Sequence, residues 1–89
     1  MAKPILVLGR RDHTEAMRVA AGLTIFGHTV RLILMTSPVA DTPENRLQAE
    51  TLELACITPE ATIADQGLAI VSAPALAAAM VSAAAVITL

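Results

Sequence analysis

Hydrophobic and polar stretches at the start of the chain alternate in the order of a β-α-β unit. The apolar run at 5–8 has the length and composition of a buried strand, and residues 9–13 form a polar turn. Residues 14–26 carry apolar side chains at helical spacing, and Gly27 can adopt the left-handed conformation that ends a helix. Apolar residues then return over 28–35. Two strands joined through a helix imply a parallel sheet, whose ligands bind where the strands end.

The middle of the chain carries the same helix-start signal twice. The sequence Thr-Pro-Glu at 42–44 and again at 58–60 supplies an N-cap hydroxyl, a proline at the first helical position and an acid in the first turn. We therefore predict that helices begin after residues 42 and 58. The segment 52–57 fits either a continuation of the first of these helices or a short strand. The alternation of strands and helices along the chain favours the strand.

The last part of the chain, residues 66–89, contains no charged residue. Its length would suffice to span a bilayer, but Pro74 interrupts it and alanine and serine dominate it, so we expect no membrane span. The pattern instead predicts a strand at 69–71, a helix at 73–84 and a last strand at 85–89. A helix without a polar face is usually buried on all sides. We therefore expect a homo-oligomer that buries helix 73–84 between subunits.

These elements together predict one small α/β domain over residues 1–89. Its mainly parallel, five-stranded sheet is doubly wound, like half of a flavodoxin fold, and carries helices on both faces. The chain is 55% hydrophobic but has one Phe and no Trp or Tyr, so aliphatic side chains and alanine must build the core. Such a core buries little area per residue, which also favours self-association. The strands are expected at 4–9, 29–36, 52–57, 69–71 and 85–89.

Charge and cysteine content exclude several classes of function. Residues 1–31 carry five cations against two acids, and residues 41–65 carry six acids against one arginine. This asymmetry fits either a solvated surface of mixed sign or two patches that meet between subunits. Cations are too few, and aromatic residues too scarce, for nucleic-acid binding.

One cysteine excludes an intrachain disulfide and a thiolate zinc cluster, and we expect no metal or cofactor. The first apolar run is too short for a signal peptide, so a cytoplasmic location is expected.

A family resemblance follows from the order of these motifs. The strand ending Val-Leu-Gly at 7–9, the helix at 14–26 and the Gly-His-Thr-Val sequence at 27–30 are similar to the DsrE/DsrF/DsrH-like family of small sulfur-trafficking proteins. The tail resembles that family as well, with Gly-Leu at 67–68, a helix over 72–84 and a last strand at 86–89. The chain is shorter than most members of the family.

The resemblance implies a function for Cys56, the single cysteine of the chain. Active members carry a cysteine near the carboxyl end of a strand, just before a helix, and it accepts sulfane sulfur as a persulfide. Cys56 would then make this chain a sulfur carrier or sulfurtransferase subunit, with sulfur donor and acceptor proteins as partners. A helix beginning after residue 58 would stabilise the thiolate. In the alternative, Cys56 is a small buried hydrophobic residue, and the protein is a non-catalytic assembly or small-anion-binding subunit.

The polar turn after the first strand is the second candidate site. Arg10 and Arg11 lie beside a predicted helix N-terminus, where they could hold a phosphate, a sulfonate or a thiosulfate-like anion. His13 could carry a proton near neutral pH. The turn lacks the spacing of a P-loop or a dinucleotide fingerprint, so nucleotide binding is not indicated. The alternative is an ordinary solvated turn in which Asp12 caps the helix.

Overall fold

Five parallel strands and three helices make up the part of the chain that the computed structural model describes, residues 3–63 and 68–89. The strand order is β4-β3-β2-β1-β5, and every neighbouring pair is parallel. Two helices, α1 and α2, cover one face of the sheet, and α3 covers the other. This arrangement confirms the predicted doubly wound α/β fold. The elements in chain order are β1 (Ile5–Gly9), α1 (His13–Ile25), β2 (Val30–Leu34), α2 (Pro43–Leu54), β3 (Glu60–Ala61), β4 (Ala69–Ile70), α3 (Ala73–Ser82) and β5 (Ala85–Thr88).

The first β-α-β unit forms where the hydrophobic pattern predicted it. The Asp12 carboxylate accepts a hydrogen bond from the Glu15 amide and caps the start of α1. At the other end, Gly27 has a φ of 92°, the left-handed conformation expected of it. Strands β1 and β2 then pair in parallel over five residues each. The cap and the glycine together fix the length of α1 and the direction in which β2 begins.

The core lies on both faces of β1 and β2, because side chains alternate between the faces of a strand. Both strands are buried on both faces, as is usual for parallel sheets. Each fully buried aliphatic side chain contributes roughly 1.5–3 kcal/mol to folding. On the α1 and α2 side the strands contribute Val7, Leu32 and Leu34. On the α3 side they contribute Leu6, Leu8 and Ile33.

The strand predicted at 52–57 is wrong, because α2 continues through Leu54. Alternation in a strand would place Leu52 and Leu54 on the same face. Instead Leu52 is 1% exposed and Leu54 is 87% exposed, which is the result of a helical turn of about 100° per residue. The chain reaches the core again only at Ile57, after the helix has ended.

The helix predicted after residue 58 is also wrong, because the third strand of the sheet, β3, lies there. Ala61 is fully buried and pairs with Leu34 on one side and Ile70 on the other. The Glu60 carboxylate pairs with the Arg31 guanidinium on β2, at 2.6 Å. Pairing with neighbouring strands and burial of Ala61 therefore outweigh the local Thr-Pro-Glu signal.

Cys56 occupies the position just past α2 that glycine usually takes at the end of a helix. Its φ is 60°, and its amide donates to the Glu53 carbonyl at 3.0 Å. The amide of the next residue, Ile57, donates to the Leu52 carbonyl at 2.9 Å. The side chains of Ile57 and Leu52 are both buried. These two bonds with an apolar contact define a Schellman motif. A residue with a Cβ is strained in this conformation by roughly 1–2 kcal/mol, whereas glycine is not.

Replacement of Cys56 by glycine is therefore expected to raise the free energy of unfolding by roughly 0.5–1 kcal/mol. Gly27→Ala, at the matching position of α1, is expected to lower it by a similar amount. Urea denaturation of the variants measures both changes. Cys56→Ala is the control, because it keeps the strained backbone and should change stability little. A gain in Cys56→Ala as large as that in Cys56→Gly would show that the thiol, not the backbone, is unfavourable.

Helix α3 ends two residues earlier than predicted, at Ser82, and packs on the sheet by one narrow face. Leu76, Ala79 and Ala83 contact the core, and Met80 and Val81 are exposed, Val81 by 85%. The remaining apolar face is therefore open to solvent, as the uncharged sequence predicted for a single subunit. Among the helices of the described residues, none is long and apolar enough to cross a membrane.

Candidate functional site

The order of the strands marks one edge of the sheet as the place for a ligand. From β1 the chain moves outward to β2, β3 and β4, and α3 then carries it back across the sheet to β5, on the other side of β1. The strand order therefore reverses between β1 and β5. In open α/β sheets, ligands bind in the crevice beyond the carboxyl ends of the strands at such a reversal.

The loop after β1 lies across this crevice and is fastened to the end of β5. The amides of Arg10 and Arg11 each donate to a main-chain oxygen of Leu89 at 2.8 Å, and the Asp12 amide does so at 3.4 Å. Leu89 in turn donates to the Leu8 carbonyl at 2.9 Å. These amides are therefore occupied, and an anion at this edge would be held by side chains rather than by the backbone of the loop.

Two arginine side chains of this loop are available for such a ligand. Arg10 and Arg11 are exposed, and neither forms an ion pair within residues 3–63 and 68–89. The nearby acids have other partners, because Asp12 caps α1 and Glu15 pairs with Arg18. The hydrogen bond from Arg18 holds the pKa of Glu15 below its usual value. The loop therefore presents two guanidinium groups that have no ion-pair partner among the described residues.

His13 connects the start of α1 to the loop after β2. Its ring Nε2 donates a hydrogen bond to the Met35 carbonyl, at 2.8 Å, because a carbonyl oxygen can only accept. Its ring also lies beside Gly9, where a Cβ would meet the ring Cδ2 at 3.5 Å. The half-buried imidazole therefore holds two loops of the carboxyl edge together. This structural contact is what the geometry assigns to His13.

A strained residue, Thr36, follows directly in the loop after β2. Its φ is 79°, and the Ser37 amide donates to the Met35 carbonyl across it at 2.9 Å. A hydrogen bond between residues two apart around a positive φ is the pattern of the rarer γ-turn. For a β-branched residue this conformation costs about 1–3 kcal/mol, and such strain is concentrated at functional sites. The local sequence carries no signal of it, so sequence reasoning missed Thr36.

Asn45 is a second residue of this region that the sequence analysis missed. Its side chain accepts a hydrogen bond from the Thr14 hydroxyl on α1 and donates to the Ala40 carbonyl at 2.8 Å. It is 8% exposed and is the buried polar residue among those the structure describes. A signal was available, because Asn45 lies seven residues before the buried Leu52, on the same face of α2.

Cys56 lies at the opposite edge of the sheet. The chain runs along α2 from the carboxyl edge of the strands back to the amino edge, and Cys56 follows the end of that helix. The predicted placement, at the end of a strand and before a helix, is therefore wrong. The thiol is exposed, as a reactive cysteine must be, but a helix C-terminus offers carbonyl groups in place of free amides. The structure thus separates Cys56 from Arg10, Arg11 and His13.

Comparisons with protein-family models, with curated proteins and with solved structures found no match to this chain. Within the described ranges, no group of three histidine, cysteine or acidic side chains could hold a metal ion. The fold and the site define a class of protein: a small doubly wound α/β protein with a cationic loop at the reversal of its strand order. Membership of the DsrE/DsrF/DsrH-like family remains a prediction from the sequence.

Proposed function

We propose that the protein binds a small anion at the carboxyl edge of the sheet, with Arg10 and Arg11 as its ligands. One observation carries the proposal: the reversal of the strand order between β1 and β5 coincides with two exposed arginines that lack an acidic partner among the described residues. Guanidinium groups bind tetrahedral oxyanions through paired, charge-assisted hydrogen bonds. Phosphate and its sulfur analogues, sulfate and thiosulfate, are the ligand class that fits this pair.

The loop geometry supports the proposal by limiting how far the two arginines can move. Three backbone hydrogen bonds to Leu89 tie the loop to β5, and the His13 ring ties the next residues to the loop after β2. A preformed loop lowers the entropy lost when an anion orders the side chains. His13 contributes to binding as a positioning residue in this proposal, through the backbone rather than through its own charge.

Titration with sodium phosphate, followed by amide chemical shifts at constant ionic strength, tests this function. The wild-type chain should show saturable shifts in the loop at 9–13. The double variant Arg10→Gln/Arg11→Gln should bind at least about tenfold more weakly, because a hydrogen bond to a charged group is worth about 1.5–3 kcal/mol. Arg46→Gln is the matched control. It also removes one cation, but Arg46 lies on α2 and pairs with Asp41, so phosphate binding should not change. Equal binding by the double variant would refute the proposal.

Sulfur relay through Cys56 is the second candidate function, and the exposure of the thiol supports it. In this proposal the Cys56 thiolate accepts a sulfane sulfur from a donor persulfide, whose own thiolate leaves, and passes it to an acceptor protein. Intact-mass measurement after incubation with a persulfide donor should show a gain of about 32 Da for each sulfur bound. Cys56→Ser should gain none. An unchanged mass for the wild-type chain would exclude Cys56 as a carrier under those conditions.

The exposed face of α3 supports a proposal of self-association. Met80, Val81 and the neighbouring β5 residue Val86 are exposed, and the nearby side chains are mostly alanine. Soluble monomers seldom leave a continuous apolar surface of this kind open to water. A homo-oligomer that buries α3 would cover it, and light scattering at tens of micromolar chain reports whether it forms.

A further inference from the structure

A cleft of about 460 Å³ lies beneath α2, and its lining does not include Arg10 or Arg11. It exists because α2 packs mainly against α1, while the strands on the far side of β2 are only two residues long. Its volume is within the usual range for small-molecule sites and far above that of one water molecule. The apolar part of its lining comes from both helices, the sheet and the flanking loops, and includes Met17, Leu34, Val39, Leu52, Ile57 and Leu68.

The polar part of the lining is small and acidic. Among the described residues that line the cleft, Glu53 is the one with a charged side chain. Asn45 also lines it, but both ends of its amide group are already bonded to Thr14 and Ala40. Glu53 is therefore the one charged group that a ligand would meet among the described residues of the lining.

The end of α2 beside the cleft carries negative charge that nothing in the helix offsets. Glu50 and Glu53 lie near the end of α2, whose last turn contains no basic residue. Acids at a helix C-terminus are unfavourable, because the helix dipole already places negative charge there. Arg46, which lies on the same helix, pairs with Asp41, and Arg31 on β2 pairs with Glu60. A positive charge brought by a ligand would relieve this repulsion.

We infer that the cleft binds a small organic cation with an apolar body, such as a primary alkylamine. The apolar part lies against the side chains under α2, and the ammonium group lies at the Glu53 end of the cleft. Charge complementarity selects this class over its neutral and acidic counterparts. The inference does not rest on anion binding, because Arg10 and Arg11 do not line the cleft.

Three probes of equal length test the inference: hexylamine, hexan-1-ol and hexanoate, each titrated into the wild-type chain at constant ionic strength. Amide chemical shifts should move in the lining residues and saturate. Hexylamine should bind about three- to fivefold more tightly than hexan-1-ol, because a solvent-accessible ion pair contributes up to about 1 kcal/mol. Hexanoate should bind most weakly. Equal affinities for the amine and the alcohol would refute the choice of a cation.

Variants of α2 distinguish the contribution of the Glu53 charge to binding from that of the cleft itself. Glu53→Gln should remove the preference for the amine and leave binding of the alcohol unchanged, whereas Glu50→Gln, outside the lining, should change the preference less than twofold. Ala49→Phe should fill the cleft and abolish binding of all three probes, with folding checked by circular dichroism. Undiminished binding in Ala49→Phe would show that the probes bind elsewhere. Unchanged amine binding in Arg10→Gln/Arg11→Gln is expected and keeps this test separate from that of the anion site.

Discussion

Replacement of Asn45 by alanine is expected to lower the free energy of unfolding by roughly 1–3 kcal/mol. The Asn45 side chain joins three parts of the molecule, because it bonds Thr14 on α1 and the Ala40 carbonyl in the loop before α2. Alanine removes both bonds, although the half-buried Thr14 and the exposed Ala40 can still bond to water. Each hydrogen bond lost in this way costs about 0.5–1.5 kcal/mol. Urea denaturation, with its slope checked for two-state behaviour, measures the loss.

Two further variants show whether the hydrogen bonds are responsible. Glu50→Ala, on the exposed side of the same helix, should change stability by less than about 0.5 kcal/mol. Asn45→Asp keeps the shape and can still accept from Thr14, but it loses the donor to the Ala40 carbonyl and buries a carboxylate. It should therefore be at least as unstable as Asn45→Ala at neutral pH. Surface substitutions usually change stability by less than about 0.5 kcal/mol. If the free energy of unfolding of Asn45→Ala lies within that range of the wild-type value, the hydrogen bonds of Asn45 do not stabilise the fold.

Gly9→Ala is expected to lower the free energy of unfolding by about 1–3 kcal/mol. A Cβ at residue 9 would lie 2.9 Å from the Leu34 Cδ2 and 3.1 Å from the Ala16 Cβ. Both neighbours are buried, Ala16 completely, so neither can move without disturbing the packing between β1, β2 and α1. Glycine at this position lets α1 approach the end of β1 closely. Thermal and urea denaturation should give the same order of stabilities.

Gly22→Ala is the control for the loss at Gly9. A Cβ at Gly22 meets nothing within 4 Å, and the residue lies inside α1, so alanine there should raise stability by about 0.5–1 kcal/mol. Adding Leu34→Val to Gly9→Ala should cost less than the sum of the two single changes, because valine lacks the Cδ2 atom that makes the closest contact. Strict additivity would mean that contact with Leu34 is not the cause.

The parts of the fold that sequence predicted well are those in which local and long-range forces agree. In the first β-α-β unit, the apolar period, the Asp12 cap and the Gly27 terminator all indicate the same elements, and the structure has them with boundaries within two residues of those predicted. At Thr42 the hydroxyl accepts from the Asn45 amide and α2 begins at Pro43, as predicted. The same three-residue signal at 58–60 failed, since pairing of β3 with its neighbours is a long-range contact that no local motif encodes.

The candidate site was predicted less completely for related reasons. The turn containing Arg10, Arg11 and His13 was predicted correctly at the end of β1. This prediction needs only the boundary between a strand and the following loop, and it does not need the order of the strands in the sheet. That this loop lies at the reversal of the strand order depends on β5 crossing to the far side of β1, which the hydrophobic pattern does not specify. The position of Cys56 was predicted wrongly because its backbone is left-handed, a conformation that ends many helices and is usually taken by glycine. A glycine there would have indicated the end of α2, whereas a cysteine does not.

The unequal lengths of the strands have a consequence for how the native protein opens. The central strands β1 and β2 pair over five residues, whereas β3 pairs over two with each neighbour. Beyond these pairs, the Thr62 amide bonds the Leu34 carbonyl and the Val71 amide bonds the Ala61 carbonyl. Subglobal opening should therefore release β3 and β4 while β1, β2 and α1 stay folded as one cooperative unit. In native-state hydrogen exchange, the Thr62 and Val71 amides would exchange through this partial opening, and those of β1 only through global unfolding.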